Sequence, residues 1–170
     1  MDRVYGNTYL EYNPLSWLNI TYRLGTDVYL DQRKQVLATG SMQATDLSGE
    51  IFENMKRNRE IYSDLLVSMK HDFTDKINGA LTLGQNLNHR NFKDLFGRGR
   101  QLGVPGFYNL GNAAELYTDE YSQFIRTAAL FFNADLAYNN LLFLGVTGRN
   151  EWASTFGPNR NNFFYPSANL

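Results

Sequence analysis

Hydrophobic and polar residues alternate along much of this chain, with a period of two that predicts β-strands with unlike faces. The first such stretch covers residues 4–13, and after Pro14-Leu15-Ser16 the alternation continues to residue 30. The second strand has its apolar residues at even positions and its polar residues at odd ones, as in Leu18, Ile20, Tyr22 and Leu24 against Asn19, Thr21 and Arg23. A short break between two such strands predicts a β-hairpin, here over about residues 4–30.

Two more hairpins are predicted by the same pattern, over about residues 60–90 and 117–152. Their short turns are Thr74-Asp75-Lys76 and Tyr138-Asn139-Asn140, and a further strand starts near residue 162 and continues to 170. Residues 1–170 are therefore predicted to be one all-β domain, an antiparallel up-and-down sheet of about seven strands. Every complete strand reaches the roughly 9 to 11 residues that a tilted strand needs to cross hydrocarbon.

Between the hairpins lie polar, irregular stretches over residues 31–58 and 91–116, and a shorter one over 154–162, which we predict to be loops. Short and long breaks thus alternate along the chain. Outer-membrane β-barrels have this asymmetry, with short periplasmic turns and long extracellular loops. The pattern favours a segment of a transmembrane β-barrel, although a lipocalin-like soluble barrel could reproduce part of it.

The composition agrees with alternation rather than apolar blocks. Aromatic residues make up 15% of the chain, yet its mean hydropathy is −0.43. The net charge of −1 provides no basic field for nucleic acid, and the absence of cysteine excludes disulfides and thiolate chemistry. The longest apolar run, residues 128–132, is far too short for a spanning helix. Residues 1–7 lack the pattern of a signal peptide, so an export signal is expected elsewhere.

The two faces of the predicted strands suit two different environments. Charged residues share the polar face, and they would be costly against lipid but natural in a water-filled or plugged lumen: Arg23, Asp27, Asp64, Lys70 and Asp135. The apolar face is then expected to contact lipid. Aromatic residues next to the short turns fit a girdle at one membrane interface, although Tyr and Phe are common in any strand: Tyr12, Trp17, Phe73 and Tyr138.

Four segments resemble the C-terminal half of the barrel of SusC/RagA-type TonB-dependent transporters. They are Leu10-Glu11-Tyr12-Asn13-Pro14-Leu15-Ser16-Trp17-Leu18, Gly103-Val104-Pro105-Gly106-Phe107-Tyr108-Asn109-Leu110, Gly148-Arg149-Asn150-Glu151-Trp152-Ala153-Ser154-Thr155 and Phe164-Tyr165-Pro166-Ser167. The resemblance implies a barrel of about 22 strands with a plugged lumen. It also implies a place in the outer membrane of a Gram-negative, Bacteroidetes-like bacterium.

The same resemblance implies the partners. These are the outer-membrane lipids, the remaining strands and the plug of the protein, TonB as the source of energy, and a SusD-like surface lipoprotein that captures glycans or peptides. The plug, the TonB-contacting segment and the signal peptide are expected outside residues 1–170. The function that follows is import of oligosaccharides or oligopeptides. The alternatives are a soluble β-barrel that binds a small ligand, and an outer-membrane scaffold or adhesin without transport.

Aromatic and amide side chains in or beside the predicted outer loops are the candidate contacts for substrate or lid: Phe107, Tyr108, Asn109, Tyr117, Tyr121 and Trp152. Aromatic faces with polar neighbours suit sugars or peptides. The alternative is that these side chains pack the loops against one another or against the lid. The basic residues of Lys56-Arg57-Asn58-Arg59, with Arg98 and Arg100, are either solvated or in contact with lipopolysaccharide phosphates.

The sequence predicts no catalytic chemistry, no cofactor and no metal site. The segment Gly97-Arg98-Gly99-Arg100-Gln101-Leu102-Gly103 has leucine where a dinucleotide loop needs a small residue, and no βαβ unit surrounds it. His71 and His89 have no further ligand at a suitable spacing. No Ser, His and acid arrangement indicates a nucleophile. We therefore expect a protein that is not an enzyme.

Overall fold

The computed structural model describes residues 1–45, 47–139, 141–157 and 161–170. Seven strands form a single sheet, and each pairs with its neighbours in chain order. They are β1 (Asp2–Leu15), β2 (Leu18–Leu37), β3 (Glu50–Thr74), β4 (Ile77–Leu102), β5 (Ala113–Tyr138), β6 (Leu142–Ala153) and β7 (Asn162–Asn169). The predicted all-β, antiparallel, up-and-down sheet is confirmed, and within the described residues it does not close on itself. No helix in this part of the chain is long and apolar enough to span a membrane.

The connections alternate between short and longer, but two of the predicted loops were wrong in their extent. The loops predicted over 31–58 and 91–116 shrink to 38–49 and 103–112, because β2, β3, β4 and β5 continue far into them. Asp46, Asn140 and residues 158–160, which fall within predicted loops and a turn, lie outside the described residues.

Cross-strand pairing explains why these polar stretches are strands. Backbone groups of neighbouring strands satisfy one another whatever the side chains are. Side-chain contacts then link the strands: Asn54 donates a hydrogen bond of 2.7 Å to Asp94, and Lys93 forms an ion pair of 2.7 Å with Glu120. A strand with water on both faces does not need apolar residues at every second position. Such a strand can therefore form although its sequence shows no alternation of apolar and polar residues.

The chain divides into two compact units, which we describe separately. The first unit comprises Met1–Val4, Asp27–Arg59 and Asn91–Phe124, and the second comprises Tyr5–Thr26, Glu60–Arg90 and Ile125–Leu170. Strands β1 to β5 each contribute residues to both units. Few apolar side chains are buried in the described residues, namely Ile51, Leu102, Ala129 and Ala137.

The second unit has one apolar face and one polar face. In the β5–β6 pairing Ala134 lies opposite Val146, and Leu136 lies opposite Leu144. Cross-strand partners share a face, so these residues mark the apolar one. Its side chains are exposed rather than packed in a core; they include Leu83, Leu87, Leu130, Leu136, Leu144 and Val146, each between 37% and 55% exposed. The hydrophobic side of this unit is therefore its surface.

The polar face of the second unit is linked by hydrogen bonds between strands. Asn86 donates to Asp64, Asn88 donates to Glu60, and the hydroxyls of Ser68 and Thr82 are 3.2 Å apart. Of the charged residues predicted for this face, Arg23 and Asp64 line one groove, and Lys70 and Asp135 line another. Asp27 belongs to the first unit, where Arg3 pairs with it at 2.6 Å.

Glycines on β2 and β4 make room for aromatic rings on the polar face of the second unit. A Cβ at Gly84 would lie 2.1 Å from the ring of Phe131, and one at Gly25 would lie 2.1 Å from the ring of Tyr62. The guanidinium of Arg149 stands 5.8 Å from the centroid of Phe131. The ring of Phe131 therefore lies between a glycine and a cation.

We predict that Gly84→Val destabilises the protein because the new side chain displaces Phe131 from its place beside Arg149. Overpacking of this kind costs about 1–3 kcal/mol in free energy of unfolding. Gly6→Val is the control, since a Cβ at Gly6 meets no atom within 4 Å. Thermal and denaturant unfolding of both variants provide the measurement, and equal stabilities would contradict the assigned packing.

Candidate functional site

Aromatic rings from three neighbouring strands meet on one face of the first unit. The ring centroids of Phe52 and Phe96 are 6.4 Å apart, those of Phe96 and Tyr117 are 6.3 Å apart, and those of Phe92 and Tyr121 are 6.3 Å apart. These distances are typical of favourable aromatic pairs. We call these five residues the aromatic row. Tyr117 and Tyr121 on β5 are 58% and 53% exposed, so part of the row is open to solvent.

The sequence predicted the two tyrosines of the aromatic row as candidate contacts but missed its three phenylalanines. Phe52, Phe92 and Phe96 fell in stretches predicted to be loops, whereas the structure places them on β3 and β4. A weak signal was present, because Phe92 and Phe96 lie four residues apart with Asp94 between them. In a strand all three side chains share one face. Each face of this stretch therefore carries both apolar and polar side chains, so hydrophobicity does not alternate along the sequence.

A buried carboxylate lies beside the aromatic row. Glu50 opens β3 with only 1% of its surface exposed, and Arg98 on β4 donates to it from Nε at 3.1 Å and from Nη2 at 2.8 Å. The backbone N–H of Thr45 also donates to Glu50, and the guanidinium of Arg98 lies 5.3 Å from the centroid of Phe52. Arg98 thus connects the carboxylate with the aromatic row.

The environment of Glu50 keeps it ionised. Burial raises the pKa of this carboxyl group, but hydrogen bonds from Thr45 and Arg98, with the charge of Arg98, outweigh burial and lower the pKa to about 2. Arg100 stands further away, with its Nε 3.8 Å from Glu50, and its Nη1 pairs with Glu115 at 3.2 Å. We call Glu50, Arg98, Arg100 and Glu115 the ionic cluster.

The loop over 103–112 is a folded turn held by two asparagines. The side chain of Asn112 accepts a hydrogen bond from the Val104 backbone N–H and donates to the carbonyl oxygens of Val104 and Phe107, at 2.7 to 3.0 Å. Asn109 caps the short 3-10 turn Leu110–Asn112 by accepting a hydrogen bond of 2.8 Å from Gly111. The predicted contact Asn109 therefore has a structural role for its side-chain oxygen.

The two aromatic residues of this loop differ in their surroundings. Phe107 is 56% exposed, whereas Tyr108 is half-buried and its carbonyl oxygen accepts a hydrogen bond of 2.7 Å from Lys34. Lys34 also pairs with Glu53 at 3.1 Å. Lys34 therefore links the loop to β2 and β3.

The remaining predicted aromatic residues belong to the second unit. Trp152 on β6 lies opposite Ala128 and borders a groove with Ile61 and Leu87 on the apolar face. The four residues predicted as a girdle are all exposed, between 47% and 61%: Tyr12, Trp17, Phe73 and Tyr138. Phe73 also contacts His71 edge to face, with centroids 4.9 Å apart.

The first unit thus presents aromatic faces next to carboxylates, guanidinium groups and amides. Aromatic faces bind apolar side chains and the C–H faces of sugars, and the charged and amide groups give direction through hydrogen bonds. The described residues contain no cluster of three or more His, Asp or Glu side chains that could hold a metal ion. The arrangement is suited to binding an extended, amphipathic ligand.

No family model and no curated protein matches this sequence. The fold, however, matches solved structures closely. The RagAB peptide transporter superposes with a TM-score of 0.88 at 13% identity, over 95% of this chain and 18% of that chain. The RagAB peptide importer matches in its closed-closed state with a TM-score of 0.84 at 13% identity, and in its open-open state with 0.77 at 14%; each match covers 98% of this chain and 19% of the other.

The predicted resemblance to SusC/RagA-type barrels is therefore confirmed at the level of the fold, because nearly the whole chain superposes on a segment of the RagAB chains. The chain spans under one fifth of the length of the chains that it matches.

We predict that the ionic cluster loses stability in acid. The pKa of Glu50 is lowered from its ordinary value of 4.5 to about 2, so its contribution is complete above pH 4.5 and is lost as the pH falls from 4.5 towards 2. Amide hydrogen exchange of residues 47–51 and 97–100, corrected for intrinsic rates, should accelerate over this range.

Glu50→Gln should abolish that pH dependence and accelerate exchange at neutral pH, because the guanidinium of Arg98 loses its buried, charged partner. Glu115→Gln is the control, since this carboxylate is half exposed and its replacement should have little effect. An unchanged exchange profile in Glu50→Gln would refute the assigned role of this carboxylate.

Proposed function

We propose that this chain forms part of the wall and outer rim of an outer-membrane β-barrel that imports nutrients. The observation that carries the proposal concerns the second unit, in which the apolar face is exposed and the polar face is linked by hydrogen bonds. A soluble protein has the opposite arrangement, with its apolar face buried in a core. In a membrane barrel the apolar face contacts hydrocarbon and the polar face lines the interior. The likeness of fold to RagAB supports the same reading.

The distribution of charge in the second unit supports this orientation. The carboxylates on its strands lie on the polar face: Glu11, Glu60, Asp64, Asp72, Asp135 and Glu151. Several of them accept hydrogen bonds from amides or pair with arginine, as a polar interior requires. On the opposite face an arginine or lysine would cost roughly 2–4 kcal/mol at the middle of a bilayer, and a carboxylate would be unfavourable by a smaller amount. Exposed Tyr12, Trp17, Phe73 and Tyr138 suit an interfacial girdle near the short turns.

The first unit, in this proposal, contributes to the extracellular mouth and contacts the substrate through the aromatic row. Oligopeptides and oligosaccharides are the two substrate classes that such a surface can bind. Because the solved relatives are described as a peptide transporter, an oligopeptide is the first candidate. A SusD-like surface lipoprotein would cover the mouth, and TonB would energise import through parts of the protein beyond this segment.

Two other functions compete with transport. A soluble β-barrel that binds a small ligand would have to be a monomer in buffer without detergent, and it would have to close its sheet with strands that bury the apolar face. An outer-membrane scaffold or adhesin would share the membrane face but would not move substrate. We propose no catalytic activity, because the chemistry of the aromatic row and the ionic cluster suits binding.

The membrane orientation is tested by two adjacent residues of β5 that face opposite sides. Ala134 pairs with Val146 on the apolar face, and Asn133 pairs with Thr147 on the polar face. We expect Ala134→Arg to lower the stability of the full-length protein in lipid bilayers by roughly 2–4 kcal/mol, and Asn133→Arg to be tolerated. Unfolding in vesicles measures both. If Asn133→Arg were the more damaging change, the apolar face would not be the lipid face.

Substrate contact is tested by uptake of labelled oligopeptides and oligosaccharides into cells. We expect Tyr117→Ala combined with Tyr121→Ala to reduce uptake of the true substrate about tenfold, because removal of two stacking rings costs on the order of 1–3 kcal/mol. Phe124→Ala is the matched control, since Phe124 is 58% exposed on the same strand but at an even position, on the other face. Equal uptake by all variants would exclude the aromatic row, and loss of uptake without TonB would support energy coupling.

A further inference from the structure

One arginine stands apart from every other charged residue on the strands of the second unit. Arg126 on β5 borders a groove on the apolar face, with Ile61, Leu87 and Ala128 as its apolar neighbours. The other Lys and Arg side chains on these strands lie on the polar face: Arg23, Lys70, Arg90 and Arg149. In the part of the chain that the structure describes, Arg126 has no acidic partner.

Two hydrogen bonds with Ser154 hold the backbone of Arg126 in place. The N–H of Arg126 donates a hydrogen bond of 3.0 Å to the Ser154 hydroxyl, and the Ser154 N–H donates one of 2.9 Å to the Arg126 carbonyl oxygen. The pairing continues to Ala128 opposite Trp152. The exposed guanidinium of Arg126 and the half-buried indole of Trp152 therefore border the same groove on the apolar face. They lie at the end of the β5–β6 pairing that is far from the short turn.

The groove beside them has a volume of about 580 Å³ and two chemically distinct parts. Ile61, Leu87 and Ala128 supply an apolar floor, whereas His89, Arg126 and Ser154 supply donors of hydrogen bonds. No carboxylate lines this groove among the described residues. An anionic group in this groove could pair with Arg126 and accept hydrogen bonds from His89 and Ser154. An ammonium group would find no carboxylate there.

We propose that this groove binds a phosphorylated glycolipid of the outer leaflet, of the lipid A type. The guanidinium of Arg126, assisted by His89, holds the phosphate, because arginine binds phosphate oxygens with two parallel hydrogen bonds. An acyl chain lies along Ile61, Leu87 and Ala128. Trp152 packs at the boundary between chain and headgroup, where tryptophan is enriched in membrane proteins.

The chemistry of the groove favours this lipid over the other lipids of the membrane. A zwitterionic headgroup carries an ammonium group beside its phosphate, and the lining of the groove offers no carboxylate to pair with that ammonium. Sugar hydroxyls, in contrast, can bond with Ser63, Ser154 and Asn161, which border the same groove. The inference rests on the proposed membrane location of the second unit, and it adds a specific lipid site to that location.

The test measures lipid binding by the full-length protein purified in non-ionic detergent. The probes are diphosphoryl lipid A, the same lipid after removal of its phosphates, phosphatidylglycerol and phosphatidylethanolamine, and native mass spectrometry gives the affinities. We expect lipid A to bind most tightly and Arg126→Gln to weaken it about tenfold or more, since hydrogen bonds to charged groups are the stronger kind. Arg126→Lys should retain part of the affinity.

Arg90→Gln is the matched control, because Arg90 is adjacent to His89 on β4 but faces the other side of the sheet. It should leave lipid binding within about twofold of the unaltered protein, which is less than 1 kcal/mol. Heat-modifiable migration in gels shows whether each variant is folded. The proposal is overturned if folded Arg126→Gln binds lipid A normally, if the dephosphorylated lipid binds equally well, or if phosphatidylglycerol binds as tightly as lipid A.

The experiments distinguish an error in the proposed lipid site from an error in the proposed function. A protein that is not in the membrane would be soluble and monomeric without detergent, and it would bind none of the four lipids. A membrane protein without this site would need detergent, yet its lipid affinities would not respond to Arg126→Gln.

Discussion

Backbone hydrogen bonding between neighbouring strands is the interaction on which this structure depends. Only four apolar side chains of the described residues are buried, so burial in a core cannot account for the fold. Each pairing of strands instead satisfies N–H and C=O groups along its whole length, at roughly 0.5–1.5 kcal/mol net for each bond. In hydrocarbon the same bonds are obligatory, since an unpaired backbone group there costs several kcal/mol. The proposed membrane role therefore requires strand partners for β1 and β7 as well.

Because pairing fixes only the backbone, the side chains of one strand can suit several environments in turn. Along β5, Tyr117 and Tyr121 belong to the aromatic row, Arg126 follows, and Ala134 and Leu136 then lie on the apolar face. No single hydrophobic pattern describes such a strand. The constraint that remains constant is the alternation of faces, and each segment fills the two faces with the residues that its surroundings allow.

This division explains how much the sequence could predict. In the second unit one face is apolar and the other polar, so alternation identified the strands around the short turns, as at Ile77, Leu81 and Leu83. In the first unit Phe92 and Phe96 share a face with Asp94 and Arg98, and alternation by polarity disappears. The bond between Glu50 and Arg98 joins residues 48 positions apart, and only the register of β3 against β4 brings them together. Register depends on the lengths of strands and loops, which the pattern did not determine.

Glu50 and Arg126 differ in how the cost of removing a charge from water is compensated. Taking a charge out of water is unfavourable unless partners replace the water. Glu50 is almost fully buried, and the protein itself supplies those partners through Thr45 and Arg98. Arg126 is exposed on an apolar face, and the described residues supply it with no acid. The cost is met inside the protein for Glu50, whereas for Arg126 it would be met by water or, as we propose, by the phosphate of a lipid. The partners of Glu50 therefore lie within the chain, whereas the partner that we propose for Arg126 is a lipid of the surrounding membrane.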